Sequence, residues 1–386
     1  MGKDSQKVAF LATLLLVAPA GMMFSTSARA ALFHSHRDII ADKQPDVEMR
    51  RAVEEDWELQ EQRWGRIPGS VESVREAVAR TERLLVHRSA DAAAEAKLAE
   101  LRQAVTGIQS LDAAGRLTLY RRARWFAREL ALADRRVTGQ PLLFMKRNRF
   151  ICQMLHEYMG YFQDYGNVAP GGGVFVLERP GYSLQTHNLI SARLTNGNFT
   201  TLALSHDARK IYFAFAERSE KKPAFTSPER RSFHIFTMTL DGAALRQLTS
   251  GVADDFDPCP LPDGGLAFIS SRRGGFARCN NSWEPCATYT LHRMDADGAN
   301  IHALSFHETD EWHPFVLNDG RIAFTRWDYV DRSAANFHGI WSCRADGTGV
   351  TALFGNNIRA INFPDKPCDM KYISADPRLV HIAPHD

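Results

Sequence analysis

The chain has 386 residues and a mass of 43.4 kDa, which is long enough for two domains. Its formal net charge of +2 and pI near 8.2 exclude a wholesale attraction to polyanions, and its apolar share of 44% is that of an ordinary globular protein.

Residues 1–30 read as a targeting segment. Lys3 and Lys7 form a short basic region, Val8 to Val17 is apolar apart from Thr13, and Ala28-Arg29-Ala30 satisfies the small-x-small cleavage rule. Cleavage after Ala30 gives a mature chain in the periplasm or outside the cell, and no later stretch is apolar for long enough to span a bilayer. An uncleaved anchor is the alternative.

Residues 31–140 form the second region, and it is helical. Met49, Val53 and Trp57 step by four; Val71, Val74 and Val78 follow; Leu98, Leu101, Val105 and Ile108 step three, four, three; Ala123, Phe126 and Leu130 repeat the pattern. Breaks fall at Gly65 to Ser70, near Ser89 to Asp91 and near Ser110 to Gly115, with Ser70 and Asp91 as helix starts. A basic run (Arg121, Arg122, Arg124, Arg128, Arg135, Arg136, Lys146, Arg147, Arg149) reads as a solvated helix face rather than a nucleic-acid footprint.

Residues 141–173 read as a connecting segment. It carries an aromatic-rich stretch, HEYMGYFQDYGN, and ends in Gly171, Gly172 and Gly173. No Lys-Ser/Thr follows those glycines and the next element is a strand, so they read as a turn into the repeats rather than a phosphate loop.

From residue 174 to 386 one strand–turn–strand pattern recurs. Its turn aspartates are Asp207, Asp263, Asp319 and Asp376, spaced 56 or 57 residues apart. A second hairpin phrase lies between the copies: FTMTLDGAALRQLT (236–249), HRMDADGANIHALS (292–305) and SCRADGTGVTALF (342–354). Asp-Gly between alternating apolar strands is a hairpin signal, because glycine accepts positive φ without a Cβ clash. Two hairpins per period make four antiparallel strands, the unit of a propeller blade. The fold class is therefore mainly β, a partial or complete β-propeller of about four blades preceded by a helical region. The last repeat ends at the C-terminus without an evident closing strand, so the chain reads as a fragment of a larger ring.

An oxidising compartment makes a disulfide the first reading of Cys279 and Cys286, which flank the short loop CNNSWEPC. Cys343 and Cys368 are a second candidate pair. Cys152 and Cys259 have no evident partner. No CxxCH occurs, so the usual covalent c-type haem attachment is excluded.

Candidate site residues concentrate in the third repeat. His307, Glu308, Glu311 and His313 with Asp328 and Asp331 combine imidazoles and carboxylates, a donor set that suits a divalent metal. Asp310 to Pro314 aligns with Asp254 to Pro258, 56 residues earlier, so part of this acidity belongs to the repeat itself. Asp255, Asp257, Arg272 and Arg273 are candidate ligand-binding residues, the arginines for a carboxylate or phosphate; tying neighbouring blades together is their alternative role. No Gly-x-Ser-x-Gly elbow or Cys/His dyad names a nucleophile.

The repeat phrases, with their Asp-Gly turns and the ending Gln247-Leu248-Thr249, resemble TolB-type, WD-like propeller repeats. The runs DDFDPCPLPDGGLAFISSRRGGFARC (254–279), TYTLHRMDADG (288–298) and LSFHETDEWHPFVLNDGRIAFTRWDYVDR (304–332) resemble the middle domain of the hydrazine synthase alpha subunit. That resemblance covers about residues 141–386 and implies a propeller in a periplasmic, multi-subunit setting. Three functions follow in order: a non-catalytic binding module for a protein or small ligand; a metal- or haem-dependent redox subunit; a metal-dependent hydrolase or lyase. The cofactor is unknown, with a divalent metal as the candidate and neither nucleic acid nor membrane as partner.

Overall fold

The computed structural model describes residues 45–86, 92–133, 138, 140–147, 170–190, 193–217, 232–277, 287–328 and 338–354, together with the strands Cys368–Tyr372 and Leu379–Ile382. The leader, the aromatic-rich stretch, Cys152, Cys279, Cys286 and Asp331 lie outside the described residues. Two compact units are present, one mainly helical and one mainly of strands.

Four α-helices form the helical unit among the described residues: α1 (Val47–Arg63), α2 (Val71–Val86), α3 (Ala92–Thr106) and α4 (Ala113–Leu132), with a single 3-10 turn at Ile108–Ser110. The starts of α1, α2 and α4 are set by side chains that accept otherwise unpaired backbone N–H groups. Asp46 accepts from Met49 N at 2.7 Å, Ser70 from Ser73 N at 3.2 Å and Asp112 from Gly115 N at 2.7 Å. The apolar stripes meet in a common core of Val74, Val78, Leu98, Leu101, Ile108, Ala123, Phe126 and Leu130. Burying each large side chain there contributes about 1.5–3 kcal/mol.

One buried acid anchors the bundle. Glu61, 1% exposed, accepts from Arg66 Nε at 2.6 Å and from the Tyr120 hydroxyl at 3.2 Å, and stands 4.0 Å from Arg124. Arginines of the basic run pair at or near the surface with acids of neighbouring helices, Arg121 with Glu54 and Glu58 and Arg122 with Glu100, while Arg128 donates to the Gly181 carbonyl. No helix among the described residues is long and apolar enough to cross a membrane.

The segment read as a plain connector contains a strand. β1 (Leu142–Lys146) joins β2 (Gly173–Leu177) and β3 (Thr186–Asn188) in a three-stranded sheet of that order. The glycine run permits this, since a Cβ on Gly172 would stand 2.2 Å from the Lys146 carbonyl oxygen.

Three four-stranded antiparallel sheets follow, each a blade in chain order. The first is β4 (Gly197–Leu204), β5 (Lys210–Glu217), β6 (His234–Thr239) and β7 (Arg246–Gln247). The second is β8 (Asp255–Pro260), β9 (Leu266–Ser270), β10 (Thr290–Met294) and β11 (His302–Ala303). The third is β12 (Glu311–Val316), β13 (Ile322–Trp327), β14 (His338–Cys343) and β15 (Thr351–Phe354); β16 (Cys368–Tyr372) and β17 (Leu379–Ile382) pair beyond it. The two hairpins of each blade coincide with the two recurring sequence phrases. Central strands such as β9, LAFIS, are buried along their whole length because sheets cover both faces. A continuous core of Phe256, Ile269, Tyr289, Leu291, Trp312, Phe324 and Trp327 joins the second blade to the third.

Two devices lock each blade to the one before it. The glycine of each second hairpin packs on a carbonyl of the preceding segment: a Cβ on Gly242, Gly298 or Gly347 would lie 2.3, 2.5 or 2.6 Å from the carbonyl oxygen of Leu189, Leu248 or Leu304. Asp-Gly thus serves both the turn and the contact between blades. The second device is an acid at the foot of the inner strands β8 and β12. Asp254 Oδ1 accepts from Phe233 N and Asp310 Oδ1 from Tyr289 N, both at 2.9 Å, while Asp255 N and Glu311 N donate to the carbonyls of Phe233 and Tyr289 at 2.8 Å.

No disulfide forms among the described residues, and the pairing of Cys343 with Cys368 is corrected: Cys343 is a free, buried thiol. Burial first, then the charges of Glu311 and Asp346, push it up to about 12, so it stays an inert thiol.

Candidate functional site

The first strand of each blade carries a bulge at one repeat position. Register slips between Thr200 and Leu202 in β4, between Phe256 and Cys259 in β8, between Trp312 and Phe315 in β12, and between Cys368 and Lys371 in β16. At the bulges stand Thr201, Asp257 and His313, 56 residues apart, with φ of 50°, 53° and 51°. A non-glycine residue in this left-handed region costs about 1–3 kcal/mol, most for a β-branched residue such as Thr201. Three successive blades keep that cost while changing the side chain.

The bulges connect from blade to blade. Thr201 Oγ1 accepts from Asp257 N at 3.0 Å, and Asp257 Oδ2 accepts from His313 N at 2.8 Å. A hydroxyl, a carboxylate and an imidazole therefore follow one another along the adjacent inner strands, all half-buried. Asp369 occupies the slipped stretch of β16 and continues the series by register.

The other sequence candidates have different surroundings. Asp255, wholly buried, receives Ser270 Oγ at 2.6 Å and a two-pronged clamp from Arg272, Nε at 2.9 Å and Nη2 at 2.7 Å. Burial raises its carboxyl, but hydrogen bonds and the Arg272 charge outweigh that and hold it below the usual range. Arg272 also donates to the Ser250 carbonyl at 2.7 Å, so the pair works as an internal tie. Arg273 is exposed.

In the third blade that charge pattern is rearranged. The position of Ser270 becomes Arg326 and the position of Arg272 becomes Asp328, and these two bind each other at 3.1 Å with Arg326 stacked 4.1 Å over Trp341. Glu311, the counterpart of Asp255, is left with neutral donors: Leu291 N at 2.8 Å and Ser305 Oγ at 2.7 Å. Burial pushes Glu311 up to about 7 and its fully buried neighbour Asp310 up to about 8. Asp310 Oδ2 has no hydrogen-bond partner among the described residues. His307 Nε2 contacts the Trp327 carbonyl and Thr309 Oγ1 at 2.8 Å and lies 3.7 Å from Asp328. Burial lowers its basicity and keeps it neutral. Glu308 is exposed.

Of the proposed six-residue donor set, Asp331 lies outside the described residues and the other five are dispersed: Glu311 in the core, His307 with Asp328 beside β13, His313 at the bulge next to Asp257, and Glu308 exposed. Among the described residues, no three His, Cys, Asp or Glu side chains are grouped to hold a metal ion. Sequence reasoning named Asp257 and His313 in separate sets and missed Thr201. The 56-residue period, extended one blade back, is the signal that finds it.

No family model matches the sequence, and no curated protein matches it. Solved structures resemble it at low identity. A putative TolB from Agrobacterium tumefaciens is 17% identical with a TM-score of 0.36, over 55% of this chain and 61% of that one. Kuenenia stuttgartiensis hydrazine synthase is 15% identical with a TM-score of 0.47, over 64% of this chain and 35% of that one. TolB from Acinetobacter baumannii is 13% identical with a TM-score of 0.34, over 59% and 43%. The chain thus spans less than two thirds of each. The blade assignment stands on the hydrogen-bonded sheets themselves.

Proposed function

We propose that this chain is a non-catalytic binding module of the periplasm or cell exterior, whose ligand is held at the row of inner-strand bulges. One observation carries the reading: the same strained backbone recurs in three blades while its side chain changes from Thr201 to Asp257 to His313. Strain kept at a fixed position, with side chains free to vary, is the pattern of a site built on a rigid scaffold. The donors are a carboxylate, an imidazole and a hydroxyl, which suit a divalent cation. The leader-like segment at residues 1–30 supports export. Kinship with the hydrazine synthase alpha subunit belongs to the same proposal, and the long phrases at 254–279 and 304–332 support it.

The test is calorimetric titration with Zn2+ and Mn2+. Wild type is expected to bind one ion per chain. Asp257→Asn and His313→Asn, both tolerant of left-handed backbone, are expected to lose it, while His307→Ala keeps it. Binding that survives both bulge variants and fails in His307→Ala would move the site to the third blade's His307–Asp328 pair.

A further inference from the structure

An open depression lies away from the bulges, where the second blade meets the third. Arg293, His302, Arg344, Ala345 and Asp346 line its space of about 490 Å³. The registers show how unusual this corner is. Arg293 pairs with His302 in the second blade just as Thr237 pairs with Arg246 in the first. Arg344 opens its turn as Asp295 does, each donating its N–H four residues ahead. The matching corner between the first and second blades therefore carries Thr237, Arg246, Asp295 and Asp297, one cation against two carboxylates. Here two arginines and a histidine face one carboxylate.

The groups are not equally committed. Arg293 donates to Asp263 Oδ2 at 2.5 Å and to the Ala345 carbonyl at 3.1 Å, which fixes the wall of the depression. His302 Nδ1 donates to the Asn300 carbonyl at 2.7 Å, so Nδ1 carries the proton and Nε2 is left as an acceptor. Arg344 donates through one nitrogen to Thr348 Oγ1 at 3.3 Å and makes no salt bridge among the described residues. Asp346 spends its Oδ1 on the Thr348 N–H and hydroxyl, at 2.9 and 2.7 Å. We propose that this depression binds the oxyanion of a small anionic ligand, a phosphate or a carboxylate, through the Arg344 guanidinium, with His302 Nε2 placed to accept from a ligand hydroxyl. A planar guanidinium can present two parallel N–H donors to such an oxyanion.

The experiment is titration of the full chain with inorganic phosphate and, separately, succinate, followed by calorimetry at low salt. Saturable binding of either probe is expected, phosphate alone marking a phosphoryl ligand and succinate alone a carboxylate. Arg344→Ala should weaken it about tenfold or more. Asp346→Asn keeps the turn's acceptor, removes the competing charge and should tighten it. These side chains are exposed, so the variants should melt with wild type. No saturable binding by wild type, or equal affinity in Arg344→Ala, overturns the proposal. The bulge variants should leave anion binding unchanged, which separates this site from the cation site.

Discussion

Replacing Gly298 by alanine tests the docking of blade on blade. Gly298 has φ of +89°, and an added Cβ would stand 2.5 Å from the Leu248 carbonyl oxygen. Contact distances begin near ~3.5 Å, so the turn must retreat and loosen the junction of the first and second blades. Gly264 supplies the matched control, with φ of +91° and nothing within 4 Å of its Cβ position. Both substitutions carry the left-handed penalty of about 1–2 kcal/mol. Only Gly298→Ala adds an overpacking term, about 1–3 kcal/mol. At ~2–4 °C per kcal/mol for a domain of this size, its melting temperature should fall several degrees further than that of Gly264→Ala. Thermal unfolding followed by near-ultraviolet circular dichroism reads the difference. Equal losses would refute the idea that the Asp-Gly turns dock the blades.

The buried carboxyls predict a pH dependence. Asp310 is raised to about 8 in the fold, so its contribution is complete below the unfolded carboxyl range and is lost as pH rises through about 8. One such group costs about 1.4 kcal/mol per pH unit between its two pKa values. Urea midpoints at pH 6 and pH 8 should therefore differ in wild type, and the difference should shrink in Asp310→Asn, with Glu311, raised to about 7, supplying what remains. Thr201→Asn keeps an acceptor for Asp257 N and relieves a β-branched residue from left-handed backbone; it should raise stability by about 1 kcal/mol, read from the same unfolding curves. Arg272→Met leaves Asp255 buried without its cation and should cost about 3–5 kcal/mol, a loss that Asp255→Asn in the same chain partly restores. A neutral Arg272→Met would show the clamp to be dispensable.

The blades were legible in the sequence because hairpin chemistry is local: Asp-Gly turns between alternating strands mark both halves of each blade. The helical stripes were equally local, and Val74, Leu98, Leu101 and Leu130 are indeed buried. The caps at Asp46 and Asp112 went unread because a cap is recognised by the backbone it satisfies, not by a period. The candidate site was harder to read, since neighbouring residues take opposite roles: Glu311 packs in the core and His313, two residues on, reaches the bulge. A single register slip separates them, and slips leave no compositional trace. The exchange of Ser270 and Arg272 for Arg326 and Asp328 is visible in the sequence, yet its result, a buried acid without a cation, depends on where Arg326 stacks.

The most direct measurement is the stoichiometry and affinity of Zn2+ and Mn2+ on the full chain, in wild type, Asp257→Asn and His313→Asn. One ion per chain in wild type, lost in both variants with unfolding curves preserved, is the predicted result. A chain that binds neither ion, or binds it equally in all three proteins, contradicts the assignment of the bulge row as the binding site.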